Sequence, residues 1–341
     1  MPVSEIKAAA KRKAKDKVVT AAKRKVTGRG SGRKKGGSKL PIILLVVLLI
    51  VGAGVAWHFG LLDGLFGGEP QEIVQEAPLE PPIVEAVNGQ LEMHFIDVGQ
   101  ADAVLIITDG YTMLIDAGDH RTGGRILVEY IYDYLGITQL TYVIGTHPHA
   151  DHIGGMDTVL NTFEVGTLLI PPVYNTTQVY RRMIEAIENN ETPTRSPAAG
   201  DIINLGGAVF TVLHPGEDDN WGTRFNNWSV SVRMVFGEHS LIVTGDAERA
   251  AELAMIATGL ELSSDILRLG HHGSRTSTIP EFLEAVDPTI VVIQVGEGNS
   301  YEHPHYDVME RLEGLRIYRN DHHGHVVITS DGTNLEVRTA R

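Results

Sequence analysis

The chain has 341 residues, enough for one large domain or two ordinary ones. It has no cysteine, which excludes disulfide bonds and thiolate metal sites. Charge is segregated: residues 1–40 hold 14 basic and 2 acidic side chains, whereas the other 301 residues hold 15 basic and 41 acidic ones. We therefore expect the two parts to occupy different physical environments.

An uncharged apolar run, "LPIILLVVLLIVGAGVAWHFGLL", occupies residues 40–62. About 20 apolar residues suffice for a helix to cross a bilayer, so we predict a single transmembrane helix. The alternatives are a cleaved signal peptide and a buried core helix. The basic residues before the run predict a cytoplasmic N-terminus and an acidic domain outside the cytoplasm. We predict that the basic tail, residues 1–39, is disordered and contacts anionic lipid.

Residues 63–90 are rich in Pro and Glu and show neither a helical nor a strand period, which predicts an extended linker. A folded domain is predicted over residues 91–341, with sheet inside and helices outside. Strands are predicted at 91–99, 103–108, 111–118, 140–146, 165–172, 208–215, 229–237, 239–246, 264–274, 288–296 and 315–321, with a closing hairpin at 324–339. Helices are predicted at 125–136, 153–163, 179–190, 247–259, 279–286 and 306–314.

The stretch "THPHADHIGG" lies between a predicted strand and a predicted helix. It is therefore a loop at the carboxyl end of a strand, where sites in α/β proteins usually form. His147 and His149 can face one point, and Asp151 and His152 a neighbouring point. Imidazole and carboxylate ligands without thiolate favour Zn, Mn or Fe. The alternative is a hydrogen-bonded histidine cluster without a metal.

Further candidate ligands follow other apolar strands. Asp246 ends "LIVTGD" and can bridge two metals, because each carboxylate oxygen can bind one. The remaining candidates at strand ends are His214, His271, His272, His303 and His305.

Together, "FIDVGQADAVLI", "THPHADHIGG", "LIVTGDAE", "ILRLGHHGSRTS" and "HPH" resemble the metallo-β-lactamase-fold hydrolases. They are most similar to the branch that contains the C-terminal domain of ComEC-type DNA-uptake proteins and the phosphorylcholine esterases. The resemblance implies an αββα sandwich with a two-metal site along one edge. It implies His147 and His149 on one metal, Asp151 and His152 on the other, and Asp246 between them. His271 or His272, with His303, would supply the remaining positions.

The resemblance also suggests residues around the metals. Asp151, His272 and His305 are the candidate catalytic residues, for orienting a nucleophile and protonating a leaving group. Asp97 and Asp116 are candidates for orienting the histidine ligands, with turn residues as the alternative. The candidate substrate contacts are Asn226, Asn227, Arg268, Ser274 and Arg275.

Three features depart from the pattern. The strand pair before "TGD" lacks the ligand histidine of many superfamily members, and His214 is a candidate substitute. Arg268 stands where several branch members have lysine; it can bind phosphate in a fork but cannot donate a proton. With a single apolar span, we do not expect these 341 residues to form a complete multi-helix DNA channel.

These observations predict a membrane-anchored, extracytoplasmic hydrolase with two divalent metals, Zn being favoured and Mn the alternative. The predicted substrate is a phosphodiester; the acidic domain disfavours long nucleic acid. A local patch of Arg224, Arg268 and Arg275 is predicted to attract a small phosphodiester. A lactone, lactam or thioester hydrolase and a non-catalytic binding protein are the alternatives. Oligomeric state is left open.

Overall fold

The computed structural model describes residues 89–341. The predicted tail 1–39, the predicted transmembrane segment 40–62 and all but the end of the predicted linker 63–90 lie outside these residues. Among the residues that are described, no helix is long and apolar enough to span a bilayer.

Two β-sheets form the centre of the described region. The first has eight strands in the order β15-β14-β1-β2-β3-β4-β5-β6, and the second has seven in the order β13-β12-β11-β10-β9-β8-β7. The first sheet contains β1 (Leu91–Phe95), β2 (Val104–Thr108), β3 (Tyr111–Ile115), β4 (Gln139–Ile144), β5 (Glu164–Leu169), β6 (Thr194–Arg195), β14 (Val326–Ser330) and β15 (Leu335–Thr339). The second contains β7 (Ile202–Leu205), β8 (Ala208–His214), β9 (Ser231–Phe236), β10 (His239–Val243), β11 (Ile266–Arg268), β12 (Ile290–Ile293) and β13 (Arg316–Arg319).

Helices cover the outer faces of both sheets. The α-helices are α1 (Gly123–Leu127), α2 (Ala150–Ile153), α3 (Met156–Thr162), α4 (Gln178–Asn189), α5 (Arg249–Ala257), α6 (Pro280–Val286), α7 (Tyr306–Arg311) and α8 (Asn320–His323). A π-helical segment (Val128–Tyr134) extends α1, and 3-10 turns occupy Phe225–Trp228 and Gly270–Gly273. Helix α4 shows how the sequence selects these elements. Thr177 caps its first turn by accepting a hydrogen bond from the Tyr180 backbone.

Three apolar clusters stabilise the layers. Alternate residues of β1, such as Met93 and Phe95, point between the sheets and join Val232 and Met234 of β9 in the central cluster. This alternation follows from the two-residue period of a strand. A second cluster packs α1, α3 and α4 on the first sheet, and a third packs α5 and α6 on the second sheet. The result is the predicted mixed α/β sandwich with two central sheets.

The elements agree closely with the sequence pattern, with instructive exceptions. The predicted hairpin at 229–246 is present as antiparallel β9 and β10, joined through Gly237 at a positive φ of 58°. The short strands β6 and β7 were not predicted from the sequence. Strand β6 has only two residues, and β7 (Ile202–Leu205) is too short for its alternation to stand out.

Candidate metal centre

The histidine-rich loop follows β4 and leads into helix α2. His147 and His152 are fully buried, whereas His149 and Asp151 are partly accessible. The His149 backbone is extended and forms the N-cap of α2, which turns Asp151 and His152 toward one region. A Cβ at Gly155 would overlap the Ala117 carbonyl oxygen, so only glycine allows this loop to pack so closely.

Asp246 lies between two groups of imidazole nitrogens. Its Oδ2 atom lies 3.8 Å from His147 Nε2 and 3.4 Å from His271 Nε2. Its Oδ1 atom lies 3.2 Å from His152 Nε2 and 3.9 Å from His272 Nε2. The two oxygens of one carboxylate thus face different histidine pairs, the arrangement that a bridging ligand requires.

Two more side chains complete the groups. His149 Nδ1 lies 3.0 Å from His147 Nε2, on the Oδ2 side of Asp246. Asp151 Oδ2 lies 3.4 Å from His272 Nε2 and 3.9 Å from His152 Nε2, on the Oδ1 side. The structure therefore brings together six of the seven predicted ligands: the four of the motif, Asp246 and one histidine of the His271–His272 pair. Both histidines of that pair lie at the site, with His271 on the Oδ2 side of Asp246 and His272 on the Oδ1 side.

Buried atoms without hydrogen-bond partners test whether these residues fit a metal. His152 Nε2, His272 Nε2 and Asp246 Oδ1 are buried and have no hydrogen-bond partner within residues 89–341. Such atoms are costly to bury unless something binds them. Ligand atoms of Asp102, His152, Asp246 and His272 all lie within 4.8 Å of one another. The donor set of imidazole nitrogen and carboxylate oxygen fits a borderline or hard divalent ion.

The other ring nitrogens are held by fixed partners. Asp116 Oδ2 lies 2.7 Å from His152 Nδ1, while its Oδ1 accepts the Thr146 backbone N–H at 2.8 Å. The Gln294 carbonyl lies 2.9 Å from His272 Nδ1. These contacts direct each Nε2 toward Asp246, as outer-shell partners of metal ligands usually do. Asp116 therefore has the predicted orienting position.

Asp97 is placed differently from Asp116. Its carboxylate accepts the Gly99 backbone N–H and lies 3.6 Å from Arg341. These partners correspond to the turn role that the sequence left open for Asp97. His214 is also away from the cleft: it is buried, with Nε2 bonded to the Asn227 carbonyl and Nδ1 near Asp219. His271, rather than His214, contributes the extra imidazole beside His147.

Arg268 does not occupy the substrate-contact position predicted for it. Its side chain is fully buried, and its guanidinium forms an ion pair with Asp102 and donates to the Gly245 carbonyl at 2.9 Å. Asp102 in turn lies 3.2 Å from His272 Nδ1. Because β11 is a central strand covered on both faces, Arg268 supports the site from within the protein and cannot reach a substrate in the cleft.

Three other predicted substrate contacts also lie away from the histidine-lined cleft, a cavity of about 410 Å³ whose wall includes His149, His271 and His272. Asn226 does line it, but Asn227 is buried and accepts the Glu248 backbone N–H. Ser274 is buried and pairs with Thr276, and Arg275 points into a neighbouring cavity. Asn227 follows Asn226, and Ser274 and Arg275 follow His272, so the sequence could not distinguish them from these neighbours that do line the cleft.

His303 and His305 have different positions. His303 lines the cleft, and its ring lies 5.7 Å from that of His271. His305 lies behind it, 4.7 Å from the His303 ring, and its Nδ1 accepts the Arg275 backbone N–H. His303 is thus near the predicted ligands, whereas the described residues that line the cleft do not include His305, which is poorly placed for the predicted proton transfer to a substrate.

Charge inside the site is closely balanced. Burial would lower the pKa of His152, but the nearby carboxylates of Asp246 and Asp116 outweigh burial and raise that pKa well above its ordinary range. Burial would raise the pKa of Asp246, but His152 and His271 outweigh it and lower that pKa far below its ordinary range. Because imidazole binds metal only when neutral, metal binding here should release protons.

Two residues beside the candidate ligands were missed in the sequence. Asp102 approaches His272 from behind, and Gln100 lines the cleft while its side chain accepts the Gly296 backbone N–H. Both belong to "DVGQADA", whose polar residues follow β1 directly. That placement after a buried strand was the available signal.

Comparisons with known proteins identify the family of this chain. A family model described as the metallo-beta-lactamase superfamily matches residues 96–297, more than half of the chain. ComE operon protein 3 of Bacillus subtilis is 28% identical over 261 residues, covering 71% of this chain and 33% of that protein. Recombination protein 2 of Haemophilus influenzae is 33% identical over 252 residues, covering 72% of this chain and 30% of that protein. The chain thus spans about a third of the length of these curated relatives.

A solved structure, the metallo-beta-lactamase fold protein YhfI from Bacillus subtilis, is 13% identical with a TM-score of 0.46, covering 70% of this chain and all of that one. The family match and these two relatives confirm the resemblance found in the sequence motifs. This chain belongs to the metallo-β-lactamase superfamily.

Proposed function

We propose that this protein is a phosphodiesterase that uses two divalent metal ions. The observation that supports this most directly is the position of Asp246, with one carboxylate oxygen facing each histidine group. One ion would be held by His147, His149, His271 and Asp246 Oδ2. The other would be held by Asp151, His152, His272 and Asp246 Oδ1. Zn is favoured by the nitrogen-rich ligand set, and Mn is the alternative.

Bound divalent ions supply Lewis-acid activation of water and of the scissile group. The protein's own residues then position the substrate and handle protons. Asp151 lines the cleft, and although burial would raise its pKa, the nearby charges of His152 and His272 outweigh burial and lower that pKa. Its carboxylate therefore stays ionised near neutral pH and can orient a water molecule at the cleft.

His303 is not suited to donating a proton to a leaving group near neutral pH. Burial, reinforced by the neighbouring His272 and His271, lowers the pKa of His303 to about 4. Its imidazole is therefore neutral near pH 7. A substrate whose leaving group needs no protonation is the appropriate first test, and bis(p-nitrophenyl) phosphate releases such a group.

A phosphodiester is favoured because the cleft adjoins a cavity lined by arginines in an otherwise acidic domain. Long nucleic acid remains disfavoured by that overall charge. One relative is named a recombination protein, but this chain spans only about a third of its length.

The test combines metal analysis with hydrolysis by the full-length chain. We expect about two Zn or Mn ions per chain, cleavage of bis(p-nitrophenyl) phosphate, and loss of both in Asp246→Ala. The control is Asp133→Asn, an exposed carboxylate outside the cleft. Two bound metals with lactone, lactam or thioester hydrolysis in place of phosphodiester hydrolysis would reject this function for its alternative. Less than one metal per chain would favour a non-catalytic binding protein.

We further propose that residues 40–62 anchor the enzyme in the cell membrane, with the N-terminus cytoplasmic and the catalytic domain outside. The support is the uncharged 23-residue run and its basic flank, which would also contact anionic lipid. Protease added to intact cells should degrade the catalytic domain and spare residues 1–39. Protection of the catalytic domain would contradict this orientation.

A further inference from the structure

A second cavity, of about 470 Å³, lies beside the histidine-lined cleft and has four arginines in its wall. They are Arg224, Arg249, Arg275 and Arg311. The chain after residue 40 carries only 15 basic residues against 41 acidic ones, so this cavity locally reverses the charge of the domain. It also corrects the predicted arginine patch, because Arg249 and Arg311 take the place expected for Arg268.

Acidic residues neutralise only part of this charge. Arg249 pairs with Glu281 at 3.1 Å, and Arg311 pairs with Asp307 at 3.2 Å. Glu248 also lines the cavity. The three carboxylates leave a net positive charge among the four guanidinium groups.

Arg224 and Arg275 are the arginines available to a ligand. Among residues 89–341, no carboxylate forms an ion pair with either of them. The Arg224 guanidinium lies 5.2 Å from the centre of the Trp221 ring, a cation–π contact that limits its motion without using its N–H donors. Both side chains are exposed, so their donors face solvent.

The arginine cavity and the histidine-lined cleft are separated by a single layer of side chains. Asn226 lines the cleft and donates to Glu248, which lines the cavity, at 3.2 Å. His271 lines the cleft, and its Nδ1 lies 3.1 Å from Thr276 Oγ1, in the cavity wall. A ligand held at the metals therefore has a second, positively charged cavity directly beside it.

We propose that the arginine cavity binds a second phosphate group of the substrate, adjacent to the phosphodiester that is cleaved. Guanidinium groups bind phosphate oxygens through paired N–H donors, which gives both charge and direction. This inference rests on the proposed phosphodiesterase function. It specifies the substrate class as a phosphodiester that carries a further phosphate.

The test compares two substrates that differ by one phosphate. These are thymidine 5′-(p-nitrophenyl phosphate) and the same compound with a 3′-phosphate, given to the metal-loaded, full-length chain in detergent. We expect the 3′-phosphate to lower KM about tenfold, which corresponds to about 1.4 kcal/mol. The double variant Arg224→Gln, Arg275→Gln should bring the KM ratio close to one. The control Arg316→Gln, Arg338→Gln removes the same charge elsewhere and should keep the ratio.

Binding is measured separately, so that a failure of the proposed function does not obscure the result. Calorimetry should show tighter binding of thymidine 3′,5′-bisphosphate than of thymidine 5′-phosphate. This preference should be lost in the double variant Arg224→Gln, Arg275→Gln (the cavity variant) and kept in the control variant. Equal affinities, or a preference that survives in the cavity variant, would overturn the inference. Binding of inorganic phosphate at Arg224 and Arg275 without any preference for the bisphosphate would also overturn it, in favour of a free-anion site. Absence of hydrolysis of either substrate would instead reject the proposed function.

Discussion

The ion pair between Arg268 and Asp102 allows a sharp test of how the site is supported. Both side chains are almost completely inaccessible, and Asp102 also lies 3.2 Å from His272 Nδ1. Burial would raise the pKa of Asp102, but Arg268 and His272 outweigh it and lower that pKa. The carboxylate is therefore ionised, and its charge depends on Arg268 for compensation.

Replacing Arg268 with Met keeps much of the side-chain volume but leaves the Asp102 carboxylate without its guanidinium partner. Removing one member of a buried pair typically costs about 3–5 kcal/mol. At about 2–4 °C per kcal/mol for a domain of this size, the Tm should fall by roughly 6–20 °C. Arg268→Lys retains the positive charge and should lose less stability, because only the forked geometry of the guanidinium is removed.

Urea and thermal unfolding, followed by circular dichroism in the presence of a chelator, measure these effects without a contribution from bound metal. The double variant Asp102→Leu, Arg268→Met completes the cycle, and we expect it to be less destabilised than the sum of the single variants by about 2 kcal/mol or more. This view, that the two charges depend on each other, would be refuted by either of two results. One is a double variant whose loss of unfolding free energy equals the sum of the two single losses, and the other is a loss below about 1 kcal/mol in Arg268→Met.

Two further predictions follow from the site and the core. His271→Ala and His272→Ala should each reduce the metal content from about two ions per chain toward one, because the two rings face different oxygens of Asp246. The exposed control His322→Ala should leave the metal content unchanged. Loss of both ions in only one of the two variants would contradict this assignment of ligands. Burial raises the pKa of Glu252 to about 7 from an ordinary 4.5, so the folded protein binds a proton that the unfolded chain releases in that range. Its contribution to stability is therefore present below pH 4.5 and is lost as the pH rises through 7, by up to about 3 kcal/mol. The difference in unfolding free energy between the wild type and Glu252→Gln should fall between pH 4.5 and 8, whereas a difference independent of pH would disprove this.

Much of the centre could be predicted because its residues are local in the sequence or follow apolar strands. His147, His149, Asp151 and His152 lie within six residues, so one loop must bring them together. Strand periodicity similarly identified nearly all of the sheet elements, since a two-residue alternation is a property of the chain itself. Only strands too short to show alternation, such as Thr194–Arg195, were missed.

The direction of individual side chains could not be predicted in this way. Arg268 and Arg275 lie seven residues apart near the same histidine pair, yet one is buried against Asp102 and the other is exposed in a separate cavity. Asn226 and Asn227 are neighbours, and only the first lines the cleft.

The sequence by itself therefore identified the fold family and most of the residues that meet at the candidate metal centre. The tertiary structure decided which histidine faces which oxygen of Asp246, and which arginines surround a common cavity. The physical reason is that these contacts join segments from separate strands, helices and turns. Their distances depend on how the two sheets and their helices pack, and no local pattern in the sequence records that packing.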